Sequence, residues 1–370
     1  MRLVDHLLLC GALIGYTPAG EQLQPPPHQA PSPLADAVLP TVQGKATGYV
    51  LVTRGAATLL ARGFGSASGD IPPPSRDTAF DIASMSKLFT AVAVLRLVDR
   101  GRLDLDISIR RYLPELPATL QDVTLRRALQ HEGGFPAYLS GDDLTQKSPA
   151  EVIAEISAMP RDRPAGSGFL YSDIGYVLAA LIMERVTATN FRNAMRRLVF
   201  RPAGLTGTGF YGEPWDSRRA AAVFVNGVQR GSPATFRFTY NFAGSGQIAT
   251  TADDLRRLFM RSSSGSFLSQ RSRTLLFSPG VGTAGRLPYR TDGLSDVTYS
   301  FGLFHFRDRR GRLAHAHGGA SELGGHGFIY WRPGDRLFVA GLFNSGHETF
   351  GRGAFMRAIL EAAEPIPPAL

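Results

Sequence analysis

Where the strand-like segments fall is the strongest constraint on how this chain can fold. Residues 49–53 and 57–61 are apolar stretches on either side of Arg54-Gly55, and they read as two strands joined by a tight turn. Strand-like stretches return only after about residue 220, notably at 300–307, 327–331 and 337–343. The last two flank Arg332-Pro333-Gly334-Asp335, where Pro and Gly suit a turn. Helical patterns fill the interval at 84–100, 120–130, 148–159, 174–187 and 191–199, separated by Pro or Gly. Residues 355–363 read as a closing helix. Strands at both ends with helices between them predict one sheet built from both ends of the chain, plus a helical insertion. There is no internal repeat.

Composition narrows the class further. Of 370 residues, 44% are hydrophobic and 19% charged, which excludes disorder as the main state and excludes collagen and coiled coil. Cys10 is the lone cysteine, so an internal disulfide framework and a cysteine-ligated zinc site are both excluded. The formal charge of +9 raises the question of nucleic acid. The basic residues come in ones and twos, as in Arg110-Arg111 and Arg256-Arg257, and never in a run of five. They read as solvated surface, with no nucleic-acid partner. No apolar run reaches the roughly 18 residues of a membrane span. Residues 1–40 read as a signal-like segment (a basic start, apolar 7–14, then small Thr17 and Ala19) followed by a Pro-rich linker over 21–40. Export to the periplasm or beyond is the corresponding expectation.

Thirty-seven of the 40 basic residues are arginine; only Lys45, Lys87 and Lys147 are lysine. Arginine keeps its proton at any workable pH, whereas lysine can be tuned to lose it. Lys87 lies in Ser84-Met85-Ser86-Lys87, an S-x-x-K at a helix start. This spacing puts the two side chains one turn apart on one face. A serine hydroxyl is a weak nucleophile until a base takes its proton. The positive end of the helix and burial among Leu88, Phe89 and Val92 would both lower the lysine pKa. The bland alternative is a serine N-cap beside a surface lysine.

The surrounding sequence, 78–91, resembles the active-site serine motif of the serine β-lactamase and penicillin-binding-protein superfamily, most closely class C β-lactamases, class VIII esterases and D-aminopeptidases. The resemblance continues through 99–106, 111–116 and 129–136 and covers roughly 45–360. It implies an α/β (α+β) fold of the β-lactamase/transpeptidase-like type, with an antiparallel sheet flanked by helices and an inserted helical domain. The expected division is a β-lactamase-related domain over 41–365, its sheet part at about 41–80 and 225–365 and its helical part at about 84–220.

The resemblance also assigns roles. Tyr171-Ser172-Asp173 stands for the family's Tyr-x-Asn, so Tyr171 joins Ser84 and Lys87 as a catalytic residue that relays protons. Asp173 departs from the usual Asn: it would favour a charged Lys87 and offers no amide donor to a substrate. A plain N-cap role for it stays open. His317-Gly318-Gly319 matches the His-x-Gly form of the third motif, on a strand lining the site. An oxyanion hole from the backbone N–H groups of Ser84 and Ala320 follows, with Gly319 letting substrate approach. Asp173, His317, Gly319 and Ala320 are therefore the candidate substrate-binding residues. Trp215 and Trp331 read as packing residues.

A histidine that is mostly neutral near pH 7 is a poor anchor for a carboxylate. The favoured reading is a serine carboxylesterase working through an acyl-enzyme, on a small-molecule ester, amide or β-lactam, without cofactor. Alternatives are a β-lactamase or a D-amino-acid or D-Ala peptidase of the same fold and, from another class, a catalytically silent binding module. His315, His317, Glu322 and His326 also cluster in sequence, but the H-x-H-x-D-H pattern of metal hydrolases is absent, so no metal is expected.

Overall fold

A computed structural model describes residues 33–65, 73–216, 219–283, 294–345 and 351–366. The signal-like segment and most of the expected linker lie outside them. Eight strands make one antiparallel sheet, in the order Ala57–Phe64, Gly48–Arg54, Leu337–Phe343, His326–Arg332, Leu313–Ala320, Leu303–Arg307, Ser295–Ser300 and Val281–Gly282. The two ends of the chain meet inside it, with Gly48 opposite Phe343 and Arg54 opposite Leu337.

All seven residues of each seam strand are buried. Tyr49, Leu51, Phe338, Ala340 and Leu342 face the helices that carry the site. Val50, Val52, Leu337, Val339 and Phe343 face a second core with Leu34, Val38, Phe355 and Ile359. A strand covered on both faces reads as a continuous apolar run, as 49–52 and 337–343 do. The main helical core centres on Ser86–Asp99, buried from Ser86 through Leu95 and packed against Ile174–Thr187.

Several expectations change. The linker does not reach residue 40: Pro33–Val38 is helical, because Leu34, Ala35 and Val38 offer an apolar face to the helix Arg352–Ala363. The stretch 300–307 is two strands rather than one. Phe301 and Gly302 turn there with positive φ, and a Cβ on Gly302 would sit 2.7 Å from Leu88 Cα. The turn thus presses on the start of the Ser86–Asp99 helix. At 120–130 only Leu125–Leu129 is α-helical, capped by Thr124. At 191–199 an α-helix Phe191–Met195 passes into a π-helical stretch Arg196–Phe200. Ile174–Thr187 and Leu337–Phe343 fall where periodicity predicts them. Thr251 accepts the Asp254 N–H at 3.1 Å and so caps the helix Ala252–Ser262.

Candidate active site

The short strand Phe80–Asp81 pairs with Ile248–Thr250 and aims the chain at the foot of the Ser86–Asp99 helix. The Asp81 carboxylate accepts the Ala83 N–H at 3.0 Å. Ala83 takes φ +43, a left-handed conformation costly for a residue with a Cβ. The 3₁₀ turn Ala83–Met85 then presents Ser84, which is partly exposed, just ahead of the α-helix. Ser84 caps neither the turn nor the helix.

Lys87 is fully buried, which excludes the surface-lysine alternative. Its Nζ donates to Ser84 Oγ at 2.9 Å and to the Ser245 carbonyl at 3.3 Å. It pairs with Asp173 Oδ1 at 2.8 Å and lies 5.0 Å from the Tyr171 ring centre. The Tyr171 hydroxyl lies close enough to Ser84 and Lys87 for each to lower its pKa. Serine, lysine and tyrosine thus share one set of proton positions. Burial pulls the Lys87 pKa down, but Asp173 and the Tyr171 hydroxyl outweigh it, and the net shift is upward. The lowering expected from sequence is therefore reversed. Burial raises Tyr171 against the lowering effect of Lys87. Asp173 stands at the N-cap position of Ile174–Thr187 without a side-chain cap bond, so the plain capping role fails and the lysine is its partner.

The strand Leu313–Ala320 passes directly over the serine turn. A Cβ on Gly319 would lie 2.2 Å from the Ile82 carbonyl oxygen and 3.2 Å from the Ser84 amide nitrogen. Only glycine permits that approach, which brings the strand's backbone beside the Ser84 N–H. Ala320 lines the cleft with Ser84.

His317 departs from its expected place. It is buried against the rings of Phe304, Tyr299 and Tyr171, at 5.4, 5.9 and 6.5 Å, and is absent from the cleft wall. Neither His317 nor Gly319 is among the lining residues described, whereas Asp173 and Ala320 are. Burial, then Lys87, holds the His317 pKa at about 3. His131 packs 4.2 Å from the Tyr171 ring and is held well below the ordinary range by the same two causes. Both imidazoles are neutral at pH 7.

The remaining histidines do not converge. His315 shares a 2.7 Å Nδ1–Nδ1 contact with His305, Glu322 N–H donates to Asp143, and His326 Nε2 meets the Ser345 carbonyl. Among the described residues no group of three or more His, Cys, Asp or Glu could hold a metal.

The cleft has a volume of about 320 Å³. Its described wall contains Asp142, Asp143, Asp173 and Glu322 but no lysine, arginine or histidine. Burial, with Asp81 nearby, raises the Asp143 carboxyl to about 7. Sequence reading missed Tyr138, Asp143, Ser245 and Gln247 in this wall. Ser245 and Gln247 come to the wall on a segment with positive φ at Gly244 and Gln247, and such turns leave no periodic trace in sequence.

A family model described as Beta-lactamase matches residues 35–364. Penicillin-binding protein 4* of Bacillus subtilis (strain 168) is 25% identical over 343 residues, 86% of this chain and 72% of that protein. Esterase EstB of Burkholderia gladioli is 30% identical over 250 residues, 56% of this chain and 63% of that one. The solved D-amino acid amidase of Ochrobactrum anthropi SV3 superposes with a TM-score of 0.74 at 21% identity, covering 90% of this chain and 99% of the other. At that identity the likeness shows the fold.

Proposed function

Because the chain belongs to the β-lactamase family, we propose that it is a serine carboxylesterase whose acyl-enzyme forms on Ser84. Lys87, once it has given up its ammonium proton, takes the serine proton with Tyr171 bridging the two. The backbone beside Ser84, Gly319 and Ala320 receives the oxyanion. Water then releases the acyl group by the reverse proton path.

One observation carries the ester preference: the described cleft wall has acidic groups and no free cation. Lys87 is committed to Asp173, and His317 is neutral and buried behind Tyr171. A substrate carboxylate would enter a negative field with no compensating charge. That disfavours β-lactams and peptides ending in D-Ala; of the substrates without a carboxylate, neutral esters are the class we propose over D-amino-acid amides. Export, from the basic start and apolar stretch near the N-terminus, is part of the same reading.

The test is a substrate panel. Short-chain p-nitrophenyl esters should show a larger kcat/KM than nitrocefin or D-Ala p-nitroanilide. A larger value for nitrocefin would reject the esterase preference while leaving the serine mechanism intact. Failure of a fluorophosphonate to label Ser84 would favour the silent binding module.

A further inference from the structure

Gln247 lines the cleft and is 3% exposed. Its Oε1 accepts the Thr239 backbone N–H at 2.9 Å. A backbone N–H can only donate, so this bond fixes which arm of the amide is oxygen. The other arm, Nε2, is buried and has no hydrogen-bond partner among the described residues. A buried donor without an acceptor is costly to the fold. The backbone adds to that cost, since Gln247 holds φ +66, a conformation that suits glycine.

Tyr138 brings an exposed hydroxyl to the wall, but the more buried side-chain donors beside Gln247 are already committed. Ser245 Oγ donates to the Phe242 carbonyl and Ser321 Oγ to Asp81, and the Tyr211 hydroxyl also bonds Asp81. Asp173, which stands where an amide could have donated, is paired with Lys87 at 2.8 Å.

We propose that Gln247 Nε2 is a specificity-determining donor, taking an oxygen acceptor carried on the acyl group of an uncharged substrate. The inference rests on the serine-hydrolase reading above. It adds that the acyl group is not a plain hydrocarbon but bears a keto, alkoxy or amide oxygen near the scissile carbonyl. The acidic wall selects against the same oxygen in carboxylate form.

Two p-nitrophenyl phosphonates of similar shape, one with an acetonyl group and one with an isobutyl group, test this by the rate of Ser84 adduct formation, read by intact mass. The wild type should prefer the acetonyl probe. Gln247→Gly relieves the strained φ and removes the donor; Gln247→Glu keeps the acceptor for Thr239 and also removes the donor. Both should lower the acetonyl-to-isobutyl rate ratio about tenfold, the factor of one neutral hydrogen bond. A purely structural role would slow both probes alike, and an unchanged ratio would overturn the inference alone. No adduct from either probe on the wild type would overturn the serine reading and this inference with it.

Discussion

Lys87 is one of three lysines in a chain with 37 arginines, so arginine there is the most informative substitution. If Lys87 shares a proton with Ser84, arginine cannot replace it, because guanidinium stays charged. Lys87→Arg should fold normally, by circular dichroism, yet lose p-nitrophenyl ester acylation by at least about 10²-fold, the lower range for a general base. A folded variant that acylates normally would move the base to Tyr171. Asp173 gives the complementary experiment. Its carboxylate favours the Lys87 ammonium, so the lysine loses its proton only in the alkaline range and kcat/KM should rise with pH there. Asp173→Asn removes that charge, the Lys87 pKa falls, and the acid limb should shift to lower pH. A limb that stays put or moves up would show that Lys87 does not set it. The closeness of Ser84 and Lys87 is readable from sequence because it is local, three residues apart where a 3₁₀ turn runs into a helix. The direction of the lysine shift is not, because it depends on Asp173 arriving from 86 residues away, ahead of another helix.

Gly319 shows the same division among elements. The His-x-Gly pattern locates the strand, but not how closely it rides over the serine turn. Gly319→Ala puts a methyl 2.2 Å from the Ile82 carbonyl, so strand or turn must move. The expected cost is about 1–3 kcal/mol in urea unfolding, typical of overpacking, with acylation falling further because the Ser84 N–H is displaced. Gly282→Ala, whose Cβ would meet nothing within 4 Å, is the control and should change neither. Equal behaviour of the two variants would remove the close approach from the account. Sequence periodicity finds Leu337–Phe343 and Ile174–Thr187 because burial alone fixes those elements. It misses the break at Phe301–Gly302, which exists to clear Leu88 from a distant segment.

Across the whole molecule, buried neutral histidines tie stability to pH. Burial holds His305, His315 and His317 at about 3, 4 and 3, and His131 well below its usual range. An unfolded imidazole titrates near 6.5, so below that value the unfolded chain takes up protons that the folded chain refuses. Stability is complete above about 6.5 and falls as pH drops toward the folded values, by about 1.4 kcal/mol per pH unit for each group. Asp81, Glu132, Asp143 and Asp254, whose folded pKa values burial raises, act in the opposite sense and offset part of this loss. The urea midpoint should therefore fall steadily between about pH 6 and pH 4. A flat or rising midpoint would mean that water reaches these rings.

The seam of the sheet also dictates when the protein can come into being. During synthesis the hairpin 48–64 emerges well before Leu337–Phe343, the partner of Gly48–Arg54. About 280 residues separate them, which at the usual 5–20 residues per second is a wait of roughly 15–60 s. Throughout that interval a largely apolar edge has no neighbour, and every helix of the insertion is translated before the sheet beneath it exists. Folding must then be dominated by long-range closure, which is slow. A ribosome stalled anywhere before residue 343 holds a chain with helices but no completed sheet, and with no serine site to protect.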